Sequence, residues 1–340
     1  MPDPKPMTST AVNSLPSAGV FVVDKPQGVT SHDVVAMMRQ ALHTKKVGHA
    51  GTLDPMATGV LVIGYGDATK LLNIIVDHVK TYRATIRFGQ ATMTDDAEGE
   101  IVSGVATRDV LPTLEQVEHT IRQSFIGTID QVPNTYSAIK VHGQRAYDLA
   151  RAGKDVKLES RQVTVEAFDV LDARETIAAD GTPVLDVEVE VTCSAGTYIR
   201  ALARDLGLAF GCGAHLTALR RLAVGAYQVG HGEPVVHAHV QRREFTNREG
   251  ELMQRARAVI DEHDASRLTE LVIPMEQAAR RALPVIDVSA EQAQDLRYGR
   301  WLDMTSPDTV SVAIGPDHDV VALVVPARGK QLKPQTVFHA

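Results

Sequence analysis

Apolar positions along the chain fall into two periodicities. Val20-Phe21-Val22-Val23 is an unbroken apolar run closed by Asp24-Lys25-Pro26-Gln27-Gly28, which predicts a short buried strand and a turn. Thr30-Ser31-His32-Asp33 then has the form of a capping box, and Val34, Val35, Met37, Met38 and Leu42 lie on one helical face. Leu71, Leu72, Ile75 and Val76 repeat that spacing. Strict alternation marks Leu185, Val187, Val189 and Val191 as a half-buried strand, and Tyr82, Ala84, Ile86 and Phe88 more loosely. With helical stretches near 113–124, 144–152 and 197–210, these runs predict an α+β fold: a mixed, mostly antiparallel sheet core flanked by helices.

The ends differ from this core. Residues 1–18 carry Pro2, Pro4, Pro6 and Pro16 among small polar residues, the composition of a disordered tail. Residues 237–270 are rich in charge, with Arg242, Arg243, Glu244, Arg248, Glu249 and Glu251, and read as a solvated helical excursion. After Pro284 the runs 310–314 and 320–325 predict short strands, so 284–340 is set apart as a small β-rich domain.

The 340 residues are 44% hydrophobic, enough to bury the core of about two domains. Lys and Arg number 35 against 42 Asp and Glu, a formal charge of −7, which argues against coating a polyanion by bulk attraction. A nucleic acid would have to meet a local basic patch. The candidate is Arg200, Arg204, Arg220 and Arg221, opposed between 200 and 221 only by Asp205. Cys193 and Cys212 are too few for a disulfide framework, and no apolar run is long enough for a membrane span, so a cytoplasmic protein that is not membrane-bound is expected.

Two segments could carry chemistry. The loop from His49 to Gly59 is rich in Gly and Pro yet runs into the apolar Val60-Leu61-Val62-Ile63, which would hold Asp54 in a fixed and partly desolvated place. An Asp before a Pro is also a common turn former, and spacing alone does not separate the two readings. Arg200 opens a helix whose Ile199, Leu202, Ala203 and Leu206 form a buried stripe; an ordinary surface ion pair is its plainer reading. His231, His237 and His239 match no specified metal site, and Gly64-Tyr65-Gly66 and Gly211-Cys212-Gly213 are too short for nucleotide-binding loops.

Several separated motifs together resemble the bacterial-type tRNA pseudouridine-55 synthases, the TruB family. They are Lys25-Pro26-Gln27-Gly28-Val29-Thr30-Ser31, Gly48-His49-Ala50-Gly51-Thr52-Leu53-Asp54-Pro55 with Ala57-Thr58-Gly59, and Lys80-Thr81-Tyr82-Arg83. Further on come the segment from Pro133 through Lys140 to Tyr147, Gly196-Thr197-Tyr198-Ile199-Arg200, and Arg220-Arg221-Leu222. The resemblance covers 19–283 and implies a catalytic pseudouridine synthase domain there. It implies that Asp54 is the catalytic aspartate, that Arg200 pairs with it, and that Tyr82 stacks on the target base. His49 would fill the place of the everted nucleotide, and Tyr198 and Leu222 would line the pocket. Lys25, Lys140, Arg220 and Arg221 would join them in binding substrate, and 284–340 would be a PUA-like RNA-contacting domain.

The implied reaction moves uracil from an N1–C1′ to a C5–C1′ bond within one nucleotide. It transfers no group and changes no oxidation state, so neither cofactor nor metal is expected. It needs an ionised carboxylate at the ribose, acting on C1′ or on a ribose proton, and a base flipped out of the T stem-loop of tRNA. A monomer is expected. A non-catalytic tRNA-binding or folding protein on the same scaffold is the alternative. A hydrolase would need a second acid, and none accompanies Asp54 in its own loop.

Overall fold

The computed structural model describes residues 15–102, 111–135, 140–141, 144–145, 158–230, 232–246, 250–305 and 308–338. Its main body is a twelve-stranded sheet. The path runs β13 (Leu252–Ile260), β12 (Val235–Thr246), β1 (Gly19–Lys25), β3 (Thr58–Tyr65), β10 (Ala214–Val224), β4 (Lys80–Phe88), β9 (Pro183–Cys193), β8 (Arg161–Ile177) and β5 (Gly127–Gln131). Only β1 with β12 and β3 with β10 pair in parallel along this path; the remaining neighbours are antiparallel. The α+β class read from the sequence therefore holds.

Helices cover the sheet in the places their apolar faces demand. Ser31–Ala41 begins with the expected capping box, Thr30 and Asp33 each bonding the other's backbone, and buries Val34, Val35 and Met38 against Phe21, Val23, Leu61 and Ile63. Leu114–Ser124 and Ile199–Phe210 pack over β4, β9 and β8, where Val117, Ile121, Leu202 and Leu206 meet Ile86, Phe88, Val187 and Val189. The helix expected near 144–152 lies almost wholly outside the described residues. Gln144–Arg145 pairs with Lys140–Val141 as a two-stranded ribbon.

Two boundaries move. Residues 15–18 are not tail: Leu15 packs on the core and the Pro16 carbonyl accepts from the Tyr65 hydroxyl at 2.9 Å. The segment 237–270 is not a helical excursion but mainly a β-hairpin, with short helices only at Glu262–Ala265 and Leu268–Leu271. Ala238, Val240, Ala256 and Ala258 pack inward at a period of two, a weak apolar signal that the many charges obscure.

The helix Met275–Ala282 ends at Leu283, and β15 (Val285–Asp287), β16 (Ser311–Ile314), β17 (Val320–Pro326) and β18 (Leu332–Val337) form a four-stranded sheet in that order. It has a small core of its own around Leu296, Val321 and Leu332. Val312, Ile314, Leu323 and Phe338 join Val20, Val22 and Val62 in a shared core, so this sheet is packed onto the main body.

Candidate active site

The loop carrying Asp54 is pinned from two sides. Its exit runs into β3, all but the first of whose residues are buried, and there Gly59 adopts φ +97°; a Cβ at Gly59 would come within 2.1 Å of the Arg221 carbonyl oxygen. On the other side stands the motif Lys25–Ser31. Lys25 is fully buried, and its ammonium donates to the carbonyls of Pro26 (3.0 Å), Pro55 (3.3 Å) and Ala57 (2.6 Å). The Gly28 amide also bonds the Pro55 carbonyl, and the Ser31 hydroxyl accepts from the Leu53 amide at 2.8 Å. Lys25 thus holds the loop from beneath and is not among the residues that line the cleft at Asp54. Burial lowers its pKa to about 8, against which the nearby Asp54 carboxylate acts.

Asp54 is placed at the floor of a cleft of about 280 Å³, walled by 51–54, Val76, Asp77, Lys80, Tyr82, 195–200, Leu219 and Arg221. Its carboxylate retains 36% exposure, into this cleft. Arg200 approaches from behind: Nε lies 3.0 Å from Asp54 Oδ2, and the other arm of the guanidinium lies 3.2 Å from Asp96 Oδ2 and donates to the Thr94 carbonyl at 2.8 Å. Burial pushes the Asp54 carboxyl above the usual carboxylate range, Arg200 pulls it down, and Asp96 adds to the upward push.

Asp96 is the group that sequence reading missed. It is buried, and its Oδ1 accepts from the Thr94 hydroxyl and the Glu98 amide. It lies in a polar turn after β4, and nothing local ties it to a helix a hundred residues further on. A second acid therefore stands near Asp54 in space, though from outside its loop. Being buried and bound to Arg200, Asp96 is not available to activate water, so the pair does not make a hydrolase.

Tyr82 and Arg221 are direct cross-strand partners on β4 and β10, and both line the cleft. Burial raises the pKa of the Tyr82 phenol, which Arg221 partly offsets. Arg221 is buried, donating to the carbonyls of Val60 (2.7 Å) and Gly51 (3.0 Å). Arg220 faces the other way and forms a two-pronged bond to Asp24 at 2.9 and 2.7 Å. Arg204 meets Asp205 at 2.8 Å. The run 200–221 is accordingly a set of internal ties and not the free basic patch that its charge count suggested.

Tyr198 caps the helix of Arg200, held by Gln131, whose amide side chain bonds both its backbone N–H (2.8 Å) and its carbonyl (3.1 Å). Leu222 does not line the cleft: alternation along β10 gives that face to Leu219 and Arg221. His49 packs edge-on to His32 at 5.7 Å, and burial lowers its pKa to about 4, leaving it neutral. Lys140 lies on the two-stranded ribbon. His237 and His239 bond Asp264 and Asp261, and among the described residues no cluster fit for a metal occurs; His231 lies outside them. No described helix is long and apolar enough to cross a membrane.

Comparison with known proteins agrees along the chain. Residues 39–199 match the model of the TruB family pseudouridylate synthase N-terminal domain, 200–280 the tRNA pseudouridylate synthase B C-terminal domain, and 283–339 the C-terminal domain of tRNA pseudouridine synthase II. The tRNA pseudouridine synthase B of Bifidobacterium longum is 45% identical, with 94% of this chain and 98% of the relative covered. That of an Arthrobacter strain is 46% identical, covering 94% and 96%. A solved Cbf5-Nop10-Gar1 complex shares the fold with a TM-score of 0.65 at 23% identity, covering 94% of this chain and 85% of that one. The chain therefore belongs to the TruB family of pseudouridylate synthases, enzymes that isomerise uridine to pseudouridine.

Proposed function

We propose that the chain forms pseudouridine in tRNA at position 55 of the T arm, with Asp54 as the essential carboxylate acting on a flipped-out uridine. The observation that carries this reading is the setting of Asp54: a carboxylate open only to a cleft, braced by Arg200, in a loop that Lys25 and Ser31 hold still. Position 55 rests on the resemblance of the motifs and on relatives named tRNA pseudouridine synthase B.

The chemistry follows from that placement. The N1–C1′ bond breaks, uracil turns within the cleft, C5 bonds C1′, the C5 proton leaves and N1 gains a proton. Atoms balance without a co-reactant. Attack on C1′ and removal of a ribose proton both need Asp54 ionised, and Arg200 favours that form in a desolvated setting. Flipping the base out costs a few kcal/mol, which stacking on Tyr82 offsets. Incubating the protein with T-arm stem-loops of 5-³H-uridine RNA tests the reading. Tritium release that disappears when U55 alone is replaced by cytidine supports it; release that persists, or none from the intact arm, contradicts it.

A further inference from the structure

The basic surface absent from residues 200–221 is present elsewhere. β12 runs parallel to β1, with His237 beside Asp24, and continues past Lys25, the residue that clamps the catalytic loop. From His237 to Thr246 the strand extends roughly 30 Å at about 3.3 Å per residue, leaving the sheet at the end where the cleft opens. Pairing with β13 places Gln241 opposite Arg257, Arg243 opposite Arg255, and Phe245 opposite Met253. Directly opposed residues share a face, so Arg243, Arg255 and Arg257 form one cationic stripe ending in an apolar tip.

The other face of the hairpin carries Val240, Ala256 and Ala258 against the helix Ser31–Ala41, which fixes the arm to the element whose first residue, Ser31, holds the catalytic loop. The stripe is solvated. Arg243, Arg255 and Arg257 are exposed and have no ion-pair partner among the described residues, and Phe245 and Met253 are 45% and 43% exposed. Three like charges set side by side on a strand pair repel one another unless a polyanion covers them. In a chain of net charge −7 such an unpaired cationic stripe matches a sugar-phosphate backbone.

We propose that the β12–β13 hairpin is an RNA-contacting arm whose Arg243, Arg255 and Arg257 bind backbone phosphates of the tRNA engaged in the cleft. The proposal rests on the reading of the chain as a tRNA-modifying enzyme and adds a binding element to it. The test compares the wild-type chain with two triple variants, one with Arg243→Ala, Arg255→Ala and Arg257→Ala, the other with lysine at the same places. Full-length tRNA binding is followed by fluorescence anisotropy across a salt series, with tritium release at saturating tRNA and unfolding temperature alongside.

The alanine variant is expected to bind about tenfold more weakly and to lose about two from the slope of log affinity against log salt, at roughly 0.7 to 0.9 per phosphate contact. Its saturating rate and unfolding temperature stay at wild-type values, and the lysine variant regains most of the affinity. Unchanged affinity and slope in the alanine variant overturn the proposal, as does a loss that lysine leaves unrepaired or one accompanied by a lower unfolding temperature. A wild-type protein that binds tRNA through this stripe but releases no tritium would instead overturn the catalytic reading and leave the arm standing.

Discussion

Arg200 Nε lies 3.0 Å from Asp54 Oδ2, and the same guanidinium is held on its far side by Asp96 at 3.2 Å. Arg200 and Asp96 are both buried, so the arginine is fixed and its charge is weakly screened by solvent. The arrangement fixes the rotamer and the charge of Asp54 together.

Removing the central cation is accordingly severe. Arg200→Ala leaves two carboxylates in a desolvated setting without their partner, and a broken buried pair costs about 3–5 kcal/mol. The variant should show a clearly lowered unfolding midpoint and a turnover reduced by at least about a hundredfold. A variant with wild-type turnover would remove Arg200 from the account.

The pH profile separates the two neighbours of Asp54. Its carboxyl is raised by burial, lowered by Arg200 and raised by Asp96. With Asp54 reacting in its ionised form, as proposed, turnover should fall as pH drops through this pKa, and the acid limb of the wild-type profile should lie above the usual aspartate range. Arg200→Gln should move that limb to higher pH. Asp96→Asn should move it to lower pH while reducing the plateau, because Arg200 loses its second anchor. Limbs that coincide in all three proteins would show that the observed titration belongs to another group.

Lys25 offers a test of loop positioning. Lys25→Met preserves the apolar stem but leaves the carbonyls of Pro26, Pro55 and Ala57 without this donor, at about 1–3 kcal/mol for a buried group left unpaired. Stability should fall by that order, and kcat should fall more than KM rises, since Lys25 ties the loop and does not line the cleft. A rise in KM with kcat unchanged would make it a substrate contact after all.

What could be read in the sequence was what local pattern encodes. Thr30 and Asp33 announce their helix because capping is a matter of three residues, and the loop of Asp54 is recognisable because Gly and Pro surround it and an apolar strand closes it. Asp96 was hidden because its relation to Arg200 exists only after β4 and the helix Ile199–Phe210 are packed together. Arg220 was mistaken for a surface cation because its partner, Asp24, comes from the first strand. The hairpin was misread as helical because Arg and Glu at successive positions mask the alternation of Ala238, Val240, Ala256 and Ala258, whose small side chains give a weak signal.

The central claim is that one ionised carboxylate, Asp54, performs the chemistry. Asp54→Asn removes the charge with little change of volume, so a neutral amide beside Arg200 keeps the shape of the cleft. The measurement is tritium release from 5-³H-uridine tRNA at saturating RNA, with tRNA affinity determined on the same preparation. The account predicts turnover below about one per cent of wild type with affinity within about tenfold. Turnover near the wild-type rate in a folded, tRNA-binding Asp54→Asn protein would contradict it.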